Sequence, residues 1–297
     1  MPEPSFPELL ARTARAVEAE LTEILDEYAQ GHARLHAALR HGVLAGGKRL
    51  RPFLLISTAN LFGLPPERAM RAAAALECVH CYSLIHDDLP AMDDDDLRRG
   101  QPTVHRAWDE ATAILAGDAL LTLAFEVITD PRTHADTARR CRLAGLLART
   151  AGANGMIAGQ MLDMAAESNP PDLDGIITLQ QLKTGALIGF AIEAGARLGG
   201  ASEKEMATLN VFGRELGLAF QITDDLLDAT GTSAELGKAT GKDARRGKAT
   251  FVSLMGIDAA RDEAARCIRN ALESLSGFDE AADPLRQAAR FVLTRSS

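Results

Sequence analysis

Residues 65–88 read PPERAMRAAAALECVHCYSLIHDD, and this stretch decides the fold class. Its apolar residues recur at spacings of three and four, it is rich in the strong helix formers Ala and Leu, and it begins with prolines, which a first helical turn tolerates. The segment therefore predicts one long helix whose apolar part runs directly into Asp87 and Asp88. Pro90 disfavours helical geometry at Leu89, so we expect the helix to end there.

The rest of the chain has the same helical character. Of its 297 residues, 46% are hydrophobic and only 4% aromatic, and alternating runs of β-branched residues are absent. Glycine-containing breaks interrupt the apolar periodicity, but we find no linker or repeat. We therefore predict an all-α fold with a single helix-bundle domain over residues 1–297. Its further helices are predicted over 6–28, 109–129, 134–165, 176–199, 203–229, 250–275 and 280–295.

Net charge and apolar run length limit the classes of function. The formal net charge is −9, which argues against non-specific nucleic-acid binding, because such binding depends on basic surface. No continuous apolar run reaches the roughly 18 to 20 residues of a membrane span. The first twenty residues resemble neither a secretory signal nor a transit peptide. We therefore expect a cytoplasmic protein without a membrane span.

Two of the four cysteines form a C-x-x-C pattern, Cys78 and Cys81 in CVHC. This spacing occurs in zinc and redox sites, so both kinds of site have to be considered. No second close pair of cysteines completes a four-ligand zinc site. Because the surrounding segment is apolar and rich in alanine, the pattern favours small core residues over a metal or redox site.

Six aspartates crowd the stretch HDDLPAMDDDDLRRG at residues 86–100. Neighbouring carboxylates repel one another and resist leaving water, so a bound cation would offset their repulsion. Asp87 and Asp88 end the predicted helix and are the first candidate ligands. On an ideal helix Asp94 would lie almost beneath Asp87, with Asp93 about 120° away. Since the helix is expected to end before them, the spacing leaves both Asp93 and Asp94 open as a third ligand.

A second acidic cluster ends another predicted helix, in AFQITDDLLDATG at residues 219–231. Asp224 and Asp228 are four residues apart, so their side chains share one helix face about 5–6 Å apart, with Asp225 beside them. Hard divalent cations prefer such oxygen ligands, although a solvated helix end is the ordinary alternative. Two acidic helix ends at the mouth of a bundle favour Mg²⁺ bound by carboxylates together with substrate phosphates. The sequence therefore predicts a phosphorylated substrate.

Basic residues recur near these carboxylates, and Arg and Lys are the residues that bind phosphate oxygens. The Gly-rich stretches that carry some of them have neither the spacing of a nucleotide-binding P-loop nor that of a dinucleotide-binding turn. Each basic patch alone could be solvated surface, whereas their recurrence beside carboxylates favours phosphate binding. The candidates are Lys48, Arg49 and Arg51 in GGKRLRP, Arg98 and Arg99, Lys183 in LKTGA, and Lys238, Lys242 and Lys248 in GKATGKDARRGKAT.

These motifs together resemble the trans-prenyl diphosphate synthase family, and within it the bacterial-type farnesyl diphosphate synthases. The resemblance spans nearly the whole chain, from GGKRLRP through LECVHCYSLIHDDLPAMDDDDLRRGQPTVH, GQMLDM and LKTGALI to FQITDDLLDATGTSAELGK and GKAT. It implies a helix bundle of the isoprenoid synthase type with a central apolar cavity. It also implies a homodimer that condenses isopentenyl diphosphate with dimethylallyl and geranyl diphosphates, using three Mg²⁺ ions per site, with Mn²⁺ as an alternative metal.

The resemblance also implies a role for each motif residue, with the aspartates acting as metal ligands and not as general bases. The implied metal ligands are Asp87, Asp88, Asp93, Asp224, Asp225 and Asp228. The allylic diphosphate would be held by Arg98, Lys183, Thr184, Gln221, Lys238 and Lys248, and isopentenyl diphosphate by Lys48, Arg51, His80 and Arg99. The implied catalytic residues are Asp87, Asp88, Asp93, Arg98, Lys183, Thr184, Gln221, Asp224 and Lys238.

Tyr82 and Ser83, which precede the first acidic cluster on the same helix, are expected to set product length. Tyr82 lies five positions before Asp87, roughly 7.5 Å deeper along the helix, and Ser83 lies one turn below it. In the family, an aromatic residue at this position goes with a C15 product when the first acidic motif also carries a two-residue insertion, here LPAM between Asp88 and Asp93. The alternative interpretation of Tyr82 is an ordinary core aromatic. The rival functions are a geranylgeranyl (C20) diphosphate synthase, a terpene cyclase and a non-catalytic partner subunit. The isopentenyl-site residues and the two acidic clusters argue against the last two.

Overall fold

A computed structural model describes residues 5–230 and 249–294, and these residues are almost entirely helical. The one sheet among them is an antiparallel pair of two-residue strands, β1 (Leu97–Arg98) and β2 (Gln101–Pro102), in which Leu97 pairs with Pro102. The helices in chain order are α1 (Phe6–Tyr28), α2 (Ala33–Leu44), α3 (Leu50–Asn60), α4 (Pro66–Asp87), α5 (Val104–Ala107), α6 (Glu110–Thr129), α7 (Thr137–Ala151), α8 (Met156–Ala166), α9 (Leu173–Gln180), α10 (Ala186–Gly199), α11 (Glu203–Thr230), α12 (Phe251–Met255), α13 (Ile257–Ser274) and α14 (Asp283–Thr294).

The chain divides into two compact units. The first comprises residues 1–56 and 64–144, and the second comprises residues 57–63 and 145–297. Each unit is built from several helices and has its own buried residues. The expectation that residues 1–297 form a single domain remains a prediction.

The core of the first unit is built on α4, where residues 72–79 form an uninterrupted buried run. Helix α6 packs against α4. The two helices approach closely at Gly117, because a Cβ there would lie 2.0 Å from His86 Nε2. Helix α6 begins after Asp109, whose carboxylate accepts a hydrogen bond of 2.7 Å from the Thr112 N–H and so satisfies one unpaired donor of the first turn. The contact of Gly117 with His86 lies one residue before Asp87, where the first acidic cluster begins.

In the second unit, α11 packs against α10 and α13. Fully buried phenylalanines from three helices fill this core: Phe190 on α10, Phe212 on α11 and Phe251 on α12. Between α9 and α10 the chain forms a π-helical turn over Gln181–Gly185. Single π turns within α-helices are rare and are frequently found at functional sites. This turn carries Lys183 and Thr184.

The predicted all-α class is confirmed, and most predicted helices are present. The prediction that α4 ends before Pro90 is also confirmed, since α4 ends at Asp87. Three predicted helices are interrupted: 134–165 at residues 152–155, 176–199 at the π-helical turn, and 250–275 at Gly256. Helices α2 and α3 were not predicted, because both are short and they flank the glycine-rich turn of GGKRLRP.

Two helical stretches are long and apolar enough, by length and composition alone, to cross a membrane: Glu110–Thr129 and Leu173–Gly199. Both stretches include charged residues, such as Glu126 and Lys183, so neither is the continuous apolar run that the sequence was expected to lack. Core helices of soluble proteins pass the same test, and both stretches contribute buried residues to their units. The two stretches are accordingly weak indicators of a membrane span.

The cysteines of CVHC are free and fully buried. Burial raises the pKa of the Cys81 thiol to about 12 and also raises the pKa of Cys78. Since the thiolate is the form that attacks disulfides and binds metals, both thiols are held in their unreactive state. The interpretation of this pair as small core residues is confirmed.

Candidate active site

The first acidic cluster folds back on the end of α4. The Asp93 N–H donates a hydrogen bond of 2.7 Å to the Asp87 carbonyl, and the Asp94 N–H donates one of 3.1 Å to the Leu89 carbonyl. The Asp94 side chain is 57% exposed and lies 3.7 Å from an Arg106 nitrogen. Because the Asp93 backbone is hydrogen-bonded to Asp87, the fold favours Asp93 over Asp94 as the second candidate metal ligand beside Asp87. Sequence spacing left this choice open.

Asp88 has a different environment from its neighbour Asp87. It is almost fully buried, and Arg98 Nε donates to both of its oxygens, at 2.7 and 3.0 Å. Burial raises the pKa of Asp88, and the hydrogen bonds from Arg98 oppose that rise. Arg98 Nη2 also lies 2.6 Å from Asp88 Oδ1. Two guanidinium nitrogens on one carboxylate make a bidentate contact, which fixes the guanidinium plane. The geometry therefore favours Asp88 as the anchor of Arg98 and not as a metal ligand, which differs from the role implied by the resemblance.

The glycine-rich turn between α2 and α3 carries two of the predicted isopentenyl-site residues, Lys48, which is exposed, and Arg51, which is half-buried. An arginine from the first acidic loop braces this turn, because Arg99 Nη1 donates to the Gly46 carbonyl. A Cβ at Gly47, where φ is +125°, would lie 2.6 Å from the Arg99 guanidinium carbon. The structure therefore brings Arg99 to the turn that holds Lys48 and Arg51.

Arg49 departs from the prediction that this turn presents three basic side chains. Its side chain is fully buried and donates to Glu77 Oε1 at 2.7 Å and to the Val43 carbonyl at 2.6 Å. The partner Glu77 is buried as well. Arg49 thus forms a buried ion pair with α4, so it is not part of a solvated basic patch. The pair does not follow from local sequence patterns, because its two residues are 28 positions apart.

His80, the fourth predicted isopentenyl-site residue, lies on α4 and is half-buried. Its pKa is held well below the ordinary value by burial and by the positive charges of Arg51 and Arg99. The imidazole is therefore neutral at pH 7, where one ring nitrogen donates and the other accepts. Arg51 and Arg99 are thus within electrostatic range of His80.

The backbone is strained in the two loops that carry these residues. Among the described residues, the non-glycine positions with positive φ are Arg49 at +50°, Asp94 at +47° and Arg99 at +53°. Such conformations are uncommon outside glycine. They cluster at active sites, where the surrounding structure has to hold them. All three lie in the GGKRLRP turn or the first acidic loop, the two segments that carry predicted site residues of the first unit.

Tyr82 lies in α4, five residues before Asp87, and is buried, with 5% of the residue exposed. Its ring packs edge-on against His86 with centroids 5.8 Å apart, and its hydroxyl has no hydrogen-bond partner in the part of the chain that the structure describes. Burial and the Asp87 charge raise the pKa of Tyr82 to about 12. The hydroxyl of the neighbouring Ser83 donates to the His80 carbonyl at 2.9 Å, within the same helix. The Tyr82 side chain is thus a neutral bulky group close to the first acidic cluster.

In the second unit the π-helical turn lies against α8. A Cβ at Gly159 of α8 would lie 2.1 Å from the backbone nitrogen of Lys183, so only glycine allows this approach. Lys183 Nζ donates to Asp163 Oδ2 at 2.7 Å, and the Asp163 side chain is largely buried. Asp163 is a site residue that sequence analysis missed. Its signal was the one acidic residue within GQMLDM.

A chain of hydrogen bonds links the π-helical turn to α11 and α12. Thr184 Oγ1 donates to Gln221 Oε1 at 3.1 Å, and Gln221 Nε2 donates to Asp225 Oδ1 at 3.0 Å. The other Asp225 oxygen accepts 2.8 Å from the Phe251 N–H. Since both oxygens of the buried Asp225 carboxylate accept hydrogen bonds from the protein, the geometry favours a structural role over the predicted metal ligation. Thr184 and Gln221, predicted to act together, are in direct contact.

The other two aspartates of the second cluster are half-buried on α11. Asp224 and Asp228 lie one helical turn apart, as the spacing predicts, and they remain the candidate ligands there. No group of three potential ligand side chains is assembled for a metal among residues 5–230 and 249–294. Pairs of carboxylates suit Mg²⁺ all the same, because it is usually bound by one or two carboxylates and completed by phosphate and water oxygens. The predicted residues Lys238, Lys242 and Lys248 lie outside the described residues.

Comparison with known proteins agrees with these motifs. The family model described as polyprenyl synthetase matches residues 32–288. The chain is 40% identical to a farnesyl diphosphate synthase of Geobacillus stearothermophilus, with 98% of each chain covered. It is 43% identical to a chloroplastic geranylgeranyl pyrophosphate synthase of Catharanthus roseus, with 89% of this chain and 74% of the relative covered.

Solved structures show the same fold. An apo FPP/GFPP synthase from Zymomonas mobilis superposes with a TM-score of 0.88 at 44% identity, covering 97% of this chain and 98% of that one. A geranyltransferase from Helicobacter pylori, complexed with magnesium and isoprenyl diphosphate, has a TM-score of 0.83 at 31% identity, covering 99% and 98%. The match to the family model and the identity to relatives along nearly the whole chain show that the protein belongs to the polyprenyl synthetase family.

Proposed function

We propose that the protein is a Mg²⁺-dependent prenyltransferase that makes (E,E)-farnesyl diphosphate. It condenses isopentenyl diphosphate with dimethylallyl diphosphate and then with geranyl diphosphate, releasing pyrophosphate each time. The observation that carries the proposal is the end of α4, where Asp93 returns to Asp87 and Arg98 is fixed on Asp88. This segment combines oxygen donors for divalent ions with a fixed cation for phosphate, in a family whose named relatives are prenyl diphosphate synthases.

The allylic diphosphate is the leaving group, and its developing charge has to be neutralised. Asp87 and Asp93 in the first unit and Asp224 and Asp228 in the second would hold Mg²⁺, which would supply positive charge for that neutralisation. Mn²⁺ is an alternative ion, and three ions per site are expected from the family resemblance. Arg98 adds a positive charge held in place by Asp88, and Lys183 adds one held by Asp163. The remaining diphosphate ligands in this proposal are Thr184, Gln221, Lys238 and Lys248.

Isopentenyl diphosphate binds through Lys48, Arg51, His80 and Arg99. The contact of Arg99 with Gly46 supports a shared site, as does the effect of Arg51 and Arg99 on His80. The C–O bond of the allylic substrate breaks to give an allylic cation and pyrophosphate. The double bond of isopentenyl diphosphate attacks that cation to form the new C–C bond. A proton then leaves to the departing pyrophosphate and restores a double bond.

The cation has to be kept away from water, which would quench it as an alcohol. Apolar helix faces give the prenyl chain a dry environment, and the Thr184 hydroxyl and backbone carbonyls stabilise the cation without trapping it. Tyr82 limits the length of the prenyl chain in the product. Its burial, its bulk and its position below Asp87 support a C15 product.

A second candidate is a synthase of the C20 product, geranylgeranyl diphosphate. The observation that favours it is the 43% identity to the chloroplastic geranylgeranyl pyrophosphate synthase. The chemistry is the same, and only the depth of the chain pocket differs. A terpene cyclase or a non-catalytic subunit is less well supported, because both acidic clusters and the isopentenyl-site residues are retained.

We expect a homodimer without nucleic-acid partners, located in the cytoplasm. Helix α6 leaves Ile114 and Leu115 exposed, and adjacent exposed apolar residues often mark a protein interface. Light scattering after size-exclusion chromatography is expected to give twice the 31.7 kDa chain mass. A mass of one chain at micromolar concentration would contradict the dimer.

The central experiment incubates the purified protein with dimethylallyl diphosphate, labelled isopentenyl diphosphate and Mg²⁺, and separates the dephosphorylated products by chromatography. A C15 alcohol as the main product supports farnesyl diphosphate synthesis, whereas a C20 alcohol identifies the second candidate. A cyclic hydrocarbon formed without isopentenyl diphosphate would indicate a cyclase. The absence of any product would overturn the prenyltransferase proposal.

A further inference from the structure

Arg49 lies between two residues of the proposed isopentenyl diphosphate site but does not point towards solvent. Its side chain is fully buried and donates hydrogen bonds to Glu77, to the Val43 carbonyl and, at 3.3 Å, to Glu18. These partners belong to α4, to α2 and to α1. One guanidinium therefore ties the GGKRLRP turn to three helices of the first unit.

The backbone at Arg49 is strained as well as anchored. Its φ of +50° lies in the left-handed region, which a non-glycine residue adopts only at a cost in free energy. A planar guanidinium with several fixed donors can hold such a conformation, because its partners lie in three directions. If the anchor were weakened, the residue would relax towards an ordinary conformation and the directions of the flanking side chains would change.

The partner of Arg49 also belongs to the helix that carries His80. Glu77 precedes His80 by three residues on α4, so the two lie on nearly the same face of that helix. On the outer side of the turn, Arg99 donates to the Gly46 carbonyl. The turn is therefore held on its buried side by Arg49 and on its outer side by Arg99. These contacts fix its position relative to His80.

We propose that Arg49 is a positioning residue, whose buried ion pair with Glu77 holds Lys48 and Arg51 in the geometry that binds the diphosphate of the homoallylic substrate. The inference rests on the proposed function and adds a residue to it. A displacement of about 1 Å at a binding group can change rates by up to about 100-fold. The ion pair therefore matters for affinity towards one substrate, beyond its contribution to stability.

The test is the variant Arg49→Lys, which keeps the charge but loses the fork of donors. We expect KM for isopentenyl diphosphate to rise about tenfold or more, while kcat at saturating substrate and KM for the allylic diphosphate stay within about twofold. The matched control is Arg71→Lys, which weakens another ion-paired arginine of the same unit, one that contacts Glu20 and Asp130. The control is expected to lower stability without changing either KM.

A second variant keeps the test decisive if Arg49→Lys does not fold. The double substitution Arg49→Met with Glu77→Leu replaces the buried pair by apolar side chains, and such replacements are often neutral or stabilising. It removes the anchor without leaving an unpaired buried charge. We expect this variant to unfold at a denaturant concentration close to that of the wild type, and still to show the raised KM for isopentenyl diphosphate.

The proposal is overturned if a folded variant of either kind keeps the wild-type KM for isopentenyl diphosphate, or if both KM values rise equally. Failure of the proposed function is a separate result, because the wild-type protein would then form no prenyl diphosphate from the two substrates. The wild-type assay and the ratio of the two KM values thus distinguish the two failures.

Discussion

At the scale of single residues, neighbouring aspartates with the same chemistry have different environments. Asp87 receives the returning backbone of Asp93, Asp88 is buried against Arg98, and Asp94 is exposed near Arg106. The sequence shows only a run of like charges. The division of roles follows from where the chain turns after α4 ends.

The first prediction concerns this division. Asp87→Asn and Asp93→Asn are expected to lower kcat by roughly 100-fold or more, because each removes a negative oxygen donor from the proposed metal site. Asp94→Asn is the matched control and should keep kcat within about threefold. Steady-state kinetics at saturating Mg²⁺, with circular dichroism to verify the helical content, provide the measurement. Equal losses in all three variants would contradict the assignment.

The second prediction concerns Tyr82. Its hydroxyl has no partner among the described residues, so Tyr82→Phe should change the free energy of unfolding by no more than about 1 kcal/mol and keep the C15 product. Tyr82→Ala removes a buried ring, which costs about 3–5 kcal/mol by analogy with Phe→Ala. Because this change opens space below Asp87, the product should lengthen to C20 or beyond. An unchanged C15 product from the alanine variant, measured by chromatography, would contradict the role of Tyr82.

At the scale of elements, the π-helical turn is the feature that periodicity did not predict. Its residues continue the apolar pattern of α9 and α10, so the sequence indicates one uninterrupted helix over 176–199. A π-helical turn contains one more residue than an α-helical turn, and here its backbone packs closely against two neighbouring helices. Gly159 of α8 lies against Lys183, and Gly217 of α11 lies against Gly185. The turn presents Lys183 to Asp163 and Thr184 to Gln221.

The third prediction tests this turn. In Gly159→Ala the new Cβ would lie 2.1 Å from the Lys183 nitrogen, and a backbone atom cannot move aside cheaply. We expect a loss of about 1–3 kcal/mol in the free energy of unfolding, together with a fall in kcat as Lys183 is displaced. The control is Gly189→Ala on α10, where a Cβ would meet nothing within 4 Å.

For that control, the better helix propensity of alanine should leave stability equal or up to about 1 kcal/mol higher. Urea unfolding and steady-state kinetics on both variants provide the comparison. If Gly159→Ala behaved like the control in both measurements, the close packing of α8 against the turn would be wrong.

At the scale of the whole molecule, acid stability depends on a cluster that joins helices of the first unit. The Asp130 carboxylate accepts hydrogen bonds from Arg132 at 2.8 Å and from the Tyr28 hydroxyl at 2.5 Å, and Arg71 lies 3.4 Å away. The hydrogen bonds from Arg132 are the largest of several effects that hold the pKa of Asp130 far below its ordinary value. The charged carboxylate therefore stabilises the folded state.

The fourth prediction follows from the sign of that shift. The contribution of Asp130 is fully present above its unfolded pKa of about 3.9, and it is lost as the pH falls through the lower folded value. The free energy of unfolding of the wild type should therefore fall between about pH 5 and pH 2, and Asp130→Asn should show a shallower fall. Denaturant unfolding across this range measures both slopes. Identical slopes would show that Asp130 is not a determinant of acid stability.

Features of this protein that depend on neighbouring residues could be predicted from the sequence. Features that depend on contacts between distant segments could not. Helix α4 and its end at Asp87 follow from spacing and from Pro90, which act within a few residues. The choice between Asp93 and Asp94 depends on a loop that closes back on α4. The pairing of Lys183 with Asp163 and of Arg49 with Glu77 depends on contacts between segments 20 and 28 positions apart, which local patterns do not encode.

The sequence alone determined the all-α class, most of the helices, the two acidic clusters and the membership of a diphosphate-binding enzyme family. These properties follow from periodicity and from side-chain chemistry, which can be recognised without knowing the path of the chain. Only the tertiary structure decided which of these carboxylates are buried against arginines or helix ends and which stay partly exposed, because burial and hydrogen-bond partners arise when distant segments pack. Asp88 and Asp225 show the difference, since each carries the charge of a metal ligand and yet binds Arg98 or the start of α12.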